Sequence, residues 1–247
     1  MFFKDDNVVR WISQFDMIFL TETHFTKGQI FDLPYYKSYH NSFSNVTDRK
    51  SRWGISCFIS NKMMPYVMDV DRTLDNHILV TLKEGHRVFG SYVPPIDSIY
   101  YKDEYFYAIP AFLSPIDNDR VFIGGGDMNS RVGGGLHVPN DINGSYRVNP
   151  DTFTNSHGKI LKKICRNNNC YLLNNMNYEN KTFDGDFTFE RAESKSQNDF
   201  CITNATGLRS VEMFSIHNLS FNFSDHKPIS VLFSIPIFHG GTEEVEI

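Results

Sequence analysis

Nine short apolar stretches recur along the chain between turn signals: DMIFLTE, GISCFIS, HILVTL, RVFGSY, RVFIGG, CYLLN, DFCIT, VEMFSI and PISVLFSI. Each is rich in β-branched or aromatic residues and bounded by Gly, Pro, Asn or Asp, so each predicts a strand. Three segments carry a helical period instead. Val8, Val9, Ile12 and Phe15 share one face, residues 101–112 form a second amphipathic run, and NSHGKILKKICRNNN a third. In the third, Ile160, Leu161 and Ile164 oppose Lys162, Lys163 and Arg166, and the pattern stops at an Asn run. Many strands with a few interspersed helices predict an α/β protein of two packed sheets with helices outside, rather than strict βαβ alternation. No repeat or composition shift divides the chain, which predicts one domain over residues 1–238 and a polar tail over 239–247.

Composition sharpens this picture. With 247 residues, 40% of them hydrophobic, and 22 Phe beside 12 Tyr, the chain can bury a substantial core. No apolar run reaches the ~20 residues that span a bilayer. The opening MFFKDDNVVRW carries acids where a secretory leader needs a cationic start, so an intracellular protein without membrane contact is expected. N-x-[ST] triplets such as Asn204-Ala205-Thr206 are then chance products of an Asn-rich chain. The four cysteines lack C-x-x-C spacing and read as buried thiols rather than a zinc site. A net charge of −5 argues against a uniformly basic nucleic-acid coat, but leaves open a local groove or a site that meets phosphate through a cation.

The segment VFIGGGDMNSRVGGG could suggest a phosphate-cradling loop. It lacks the Lys-Ser/Thr of a P-loop and does not open a helix as G-x-G-x-x-G, so that reading fails. What remains is a strand delivering Asp127 and, two residues on, Asn129. Alternation in an extended chain would point both the same way, where they could hold a water and orient a phosphoryl oxygen; a simple turn is the competing reading. Four further segments stand out. IFLTETHF puts Glu22 and His24 at a strand end, where Glu22 could hold a divalent cation or merely be solvated. FGSYVPP stops a strand at Tyr92, whose phenol could donate to a phosphate. SQNDFCITN sets Asp199 just before a strand, and FSDHKPISVLF places Ser224, Asp225 and His226 before the last one. Asp199 could fix the tautomer of His226, leaving the other ring nitrogen for a phosphate, although a lone histidine is more often structural.

Taken in order, strand-Glu-Thr-His, Tyr-x-Pro, Gly-Asp-x-Asn, Ser-x-x-Asp-Phe and Ser-Asp-His resemble the endonuclease/exonuclease/phosphatase superfamily over nearly the whole chain. The branch most similar is the endonuclease domain of non-LTR (LINE-type) retrotransposons, through GDMNSRVG, NSHGKILKKICRNNNCYLLNN and SQNDFCIT. The resemblance implies a DNase I-like four-layer α/β sandwich of two packed mixed β-sheets flanked by helices. It implies that Glu22 ligates Mg²⁺ or Mn²⁺ with support from Asp225, and that Tyr92, Asn129 and His226 surround the scissile phosphate. Asp127 would position or deprotonate the attacking water and Asp199 would pair with His226. Beside that set, His24, Ser196 and Ser224 are candidate substrate contacts, and Arg131 could reach a phosphate from the loop after GGGD or simply face solvent. The implied activity is metal-dependent nicking of DNA, in the nucleus, serving target-primed reverse transcription if a reverse transcriptase domain follows. A phosphatase or phosphodiesterase acting on a lipid, inositol or nucleotide substrate is the alternative, as is a catalytically degenerate remnant that only binds. The chain departs from the family at its start: Met1 lies only a few residues before the first helical pattern, so the family's first strand and its Asn are expected to be missing.

Overall fold

The computed structural model describes residues 6–25, 31–42, 54–113, 118–134, 146–179, 181–219 and 224–236. The chain begins with α1 (Asp6–Ile12), β1 (Met17–Thr21), β2 (Tyr36–Ser42), β3 (Gly54–Ser60), β4 (Val67–Asp71), β5 (His77–Leu82) and β6 (Arg87–Tyr92). It continues through α2 (Glu104–Leu113), β7 (Phe122–Asp127), β8 (Tyr146–Arg147), α3 (Ser156–Asn167), β9 (Tyr171–Leu172), β10 (Met176–Tyr178) and β11 (Lys181–Thr182). Then come β12 (Phe189–Arg191), β13 (Ser194–Ser196), β14 (Asp199–Thr203), α4 (Ala205–Ser210), β15 (Val211–Ile216) and β16 (Ile229–Phe233). All nine apolar stretches contain strands and all three helical patterns form helices. The expectation of a missing first strand and that of a polar tail at 239–247 fall on residues outside those described.

One sheet has the order β4-β5-β6-β7-β14-β9 and is mixed, because β6 and β7 run parallel while the other pairs are antiparallel. Over its inner face lie the antiparallel sheet β1-β3-β2 and the pair β15-β16; β1 and β3 cover β5 to β7, and β16 covers β14. The period of two sorts each strand between two cores. On β5, Ile78, Val80 and Leu82 enter the core between the sheets, with Ile55, Cys57 and Ile59 of β3 and Ile123 of β7. Leu79 points the other way and joins Phe89, Phe122 and Phe200 under α2 and α3, which contribute Phe106, Ile109, Leu161 and Ile164. A third, smaller core sets Val8 and Ile12 of α1 on Ile18 and Phe58, the outer face of β1 and β3. The layers are therefore helix, sheet, sheet, helix, as the resemblance implied.

Burial also disposes of two sequence alternatives. All four cysteines are buried and none forms a disulfide, and burial pushes the Cys201 thiol up to about 12. Asn204 caps α4, its side chain accepting from the backbone N–H of Gly207 and of Phe122. Among the described residues no helix is long and apolar enough to cross a membrane.

Candidate active site

Strand register builds the floor of the site. Tyr92 at the end of β6 pairs with Asp127 at the end of β7, and Asp127 pairs with Asp199 at the start of β14. Three of the predicted site residues thus stand in one row across three adjacent strands, on the same face, because cross-strand partners share a side of the pleat.

The chain leaves β7 through a sharp turn. Asn129 takes φ 44°, a left-handed conformation uncommon outside glycine that asparagine tolerates through local side-chain hydrogen bonds. The turn is closed by Asp127 itself: Oδ1 accepts from Asn129 N–H at 2.8 Å, and Oδ2 accepts from Asn129 Nδ2 at 3.1 Å. Asn129 Nδ2 also donates to the Val93 carbonyl at 3.0 Å. The two side chains do meet, but by a left-handed turn rather than by strand alternation.

Two other segments close over this row. Glu22 follows β1, also left-handed at φ 51°, and its Oε1 accepts from the Tyr92 hydroxyl at 2.6 Å. From the opposite side His226 arrives just before β16 with Nδ1 2.9 Å from Asp199 Oδ2, its ring edge-on to Phe189 at 5.1 Å. Ser224 Oγ accepts from the His226 N–H and so shapes the approach to the histidine. Asp199 N–H and Asn198 N–H both donate to Thr188 Oγ1, which fixes the start of β14.

The electrostatics follow from this crowding. Asp127 is 3% exposed, and burial, reinforced by the charges of Asp199 and Glu22, raises its carboxyl well above the usual range despite opposing help from His226 and the Asn129 N–H. Burial alone would lower the His226 pKa, but the hydrogen bond and charge of Asp199, with Asp127 and Asp225 beyond, raise it to about 9. At neutral pH the ring is an imidazolium whose outer nitrogen can donate to an anion. Burial and then the Glu22 carboxylate push the Tyr92 hydroxyl upward, so it remains a phenol and a donor.

Asp127, Asp199 and His226 form a cluster whose potential ligand atoms lie within 4.8 Å of one another. A protonated imidazole is a poor metal ligand, so the carboxylate oxygens of Asp127 and Glu22 are the better candidates to hold a cation. A hard divalent ion fits them, since its charge would offset the burial and the neighbouring Asp199 and Glu22 charges that raise the Asp127 carboxyl. Asp225 is exposed, outside the cluster, and reaches the site through its charge on His226.

The remaining predicted contacts fare differently. His24 is exposed, left-handed at φ 52° and not a member of the cluster. Arg131 is engaged in a bidentate pair with Asp151, both bonds at 2.7 Å, and its guanidinium packs over Phe153 at 4.7 Å. Ser196 lines a cavity of about 270 Å³ that also involves Asn129, which hydrogen-bonds Asp127 of the cluster. Sequence reading missed Asp151 and the scaffolding role of Asn155. Asp151 is 2% exposed and also accepts from the N–H groups of Gln197 and Phe153, so it ties the loop before α3 to the approach of β14. Asn155 caps α3 by accepting from Gly158 N–H, accepts from Arg131 N–H, and donates to the Asn129 carbonyl at 2.9 Å. The visible signal was an Asn directly before an amphipathic helix.

No family model matches the sequence, and no curated protein matches it. Solved structures do. The chain is similar to an AP endonuclease from Archaeoglobus fulgidus, at 18% identity over 92% of this chain and 93% of that one, with a TM-score of 0.62. It is similar to the 3′ phosphatase NExo from Neisseria bound to product DNA hairpin, at 14% identity over 93% of each chain and a TM-score of 0.60. It is also similar to the endonuclease domain of TRAS1, a telomere-specific non-LTR retrotransposon, at 14% identity over 90% of this chain and 88% of that one, with a TM-score of 0.55. At these identities the likeness establishes the DNase I-like fold shared by endonuclease/exonuclease/phosphatase proteins.

Proposed function

We propose that this chain is a divalent-metal-dependent phosphodiesterase of the endonuclease/exonuclease/phosphatase family that nicks DNA. The observation that carries the reading is the row Tyr92, Asp127, Asp199 across β6, β7 and β14, closed by Glu22 on one side and His226 on the other. Such a site suits in-line hydrolysis. A water placed by Asp127 and Asn129 attacks phosphorus, its proton passes to Asp127, the new P–O bond forms, and the bond to the 3′-oxygen breaks, the departing oxygen taking up a proton from solvent. A carboxyl raised well above its ordinary value is suited to take that proton. The His226 imidazolium and the Tyr92 phenol donate to the non-bridging oxygens where charge develops. A cation held by Glu22 and Asp127 would supply further charge neutralisation at those oxygens.

A nick made this way leaves a 3′-hydroxyl, the end a polymerase extends. That product, the motifs GDMNSRVG and SQNDFCIT, and the fold likeness to the TRAS1 endonuclease domain support a role as a retrotransposon endonuclease, acting in the nucleus beside a reverse transcriptase domain. The test is relaxation of supercoiled plasmid with Mg²⁺, with EDTA, and with Glu22→Ala and His226→Ala. We expect nicking only with Mg²⁺ and a loss of about 10²- to 10³-fold in each variant. Near-normal nicking by His226→Ala, or turnover of phospholipids or phosphate monoesters in place of DNA, would overturn the assignment.

A further inference from the structure

His226 reaches the catalytic row on a short tether. Among the described residues, the backbone of residues 225–227 is tied to the rest of the molecule by two bonds: Lys227 N–H donates to the Thr188 carbonyl at 2.7 Å, and Glu190 N–H donates to the Asp225 carbonyl at 2.8 Å. These bonds set His226 opposite Phe189 of β12. The same stretch holds the partner of His226, since Thr188 Oγ1 accepts from Asp199 N–H at 3.0 Å and Thr188 N–H donates to the Ser196 carbonyl at 3.0 Å. Residues 188–190 therefore carry both ends of the His226–Asp199 pair. Two backbone bonds at the edge of the two-stranded β12-β13 hairpin are a weak fixing for a ring that must keep Nδ1 2.9 Å from a carboxylate. A side chain reinforces them. Lys227 Nζ donates to Asp186 Oδ2 at 2.8 Å and lies 2.6 Å from Glu190 Oε1, with only 15% of the lysine side chain exposed. Asp186 and Glu190 stand two residues before and two after Thr188, so one ammonium spans the whole pairing. Both carboxylates are themselves held, Asp186 by the Phe187 N–H at 2.7 Å and Glu190 by Lys195 Nζ of β13 at 3.2 Å.

Resting on the nuclease reading, we propose that Lys227 is a positioning residue for His226: by bridging Asp186 and Glu190 it locks residues 225–227 onto β12, and so keeps the imidazole against Asp199 with its outer nitrogen toward the phosphate. A direct phosphate contact is the competing use for a lysine beside the site. Its ammonium already has two carboxylate partners, and withdrawing it would leave both anions unpaired near the incoming phosphate. Ion pairs with a partly exposed partner add little to global stability, and the Asp186 side chain is 49% exposed. The bridge therefore acts on where the ring sits rather than on whether the domain folds.

The test compares Lys227→Met, which keeps the length of the side chain and removes its charge, with Lys227→Arg, which can still bridge two carboxylates. In plasmid nicking with Mg²⁺, Lys227→Met should lose about 10- to 10²-fold in kcat with KM unchanged to within about twofold, and Lys227→Arg should recover most of the rate. Placed in His226→Ala, Lys227→Met should cost nothing further, because its effect runs through the ring. In EDTA the ¹⁵N shifts of the His226 ring should move toward free-histidine values in Lys227→Met and stay in place in Lys227→Arg, while Tm agrees among the three proteins to within about 2 °C. Unmoved ring shifts in Lys227→Met, a loss carried by KM alone, or a further loss in the His226→Ala background overturns the proposal and leaves the nuclease reading standing. If the unsubstituted protein does not nick, the nuclease reading falls, and the ring shifts alone decide whether Lys227 holds His226.

Discussion

Asn129 combines two demands on one residue. Its left-handed backbone costs a side chain about 1 kcal/mol that glycine would not incur, while its amide bridges Asp127 and the Val93 carbonyl. Asn129→Ala keeps the backbone penalty and loses the amide; Asn129→Gly loses both. In denaturant unfolding the Gly variant should be the more stable of the two by about 1 kcal/mol, while in plasmid nicking both should fall by about 10²- to 10³-fold. Rates that tracked stability instead would mean that the amide only shapes the turn. His226 makes a separate prediction. Its folded pKa of about 9 lies above the ordinary 6.5, so its contribution to stability is fully present below about pH 6.5 and is lost as pH rises through 9. In EDTA, Tm should drop between pH 6 and pH 9, and the drop should shrink in His226→Gln. Asp127, also raised, acts in the same sense but from more acidic pH upward.

Whether an element was legible in the sequence depended on how much of its pattern was apolar. GISCFIS is buried along its length and reads as a strand at sight. YKSYHNS and VMDVD, which became β2 and β4, lie at the margins of their sheets with partly exposed polar positions, so neither offered an apolar run. Glu22, Tyr92, Asp127, Asp199 and His226 were legible as residue types at strand ends. Their register across β6, β7 and β14 was not, because pairing between segments 35 and 72 positions apart leaves no mark in either one. The Arg131–Asp151 pair was hidden for the same reason, and Arg131 read as either a phosphate contact or a solvent-facing side chain. The N-terminus of α3 carries a prediction of its own. Asn155→Ala removes the cap and also the link to the Asn129 carbonyl, so it should cost about 1–2 kcal/mol and slow nicking as well. Asn155→Asp keeps the acceptor that caps the helix and loses only the donor, so thermal melts should show a smaller loss while the rate still falls.

At the scale of the whole molecule, the sheet β4-β5-β6-β7-β14-β9 is a wall shared by two cores, and the site sits on its edge where β6 and β7 end and β14 begins. Adjacent residues on one strand serve opposite sides: Ile78 is fully buried between the sheets, and Leu79, 7% exposed, packs beneath α2 and α3. If the wall couples the cores, a cavity on either side destabilises everything attached to it. Ile78→Ala and Leu79→Ala should then each cost about 2–5 kcal/mol, with far-UV circular dichroism and tryptophan fluorescence reporting one coincident transition in both. Were the helical layer an independent unit, Leu79→Ala would split the two probes and leave the inter-sheet core folded. Coupling is the outcome the site requires. Tyr92, Asp127 and Asp199 hold their row only while three neighbouring strands stay paired, and Glu22 beside β1 and His226 before β16 reach that row from the facing layer only while the inter-sheet core stays closed.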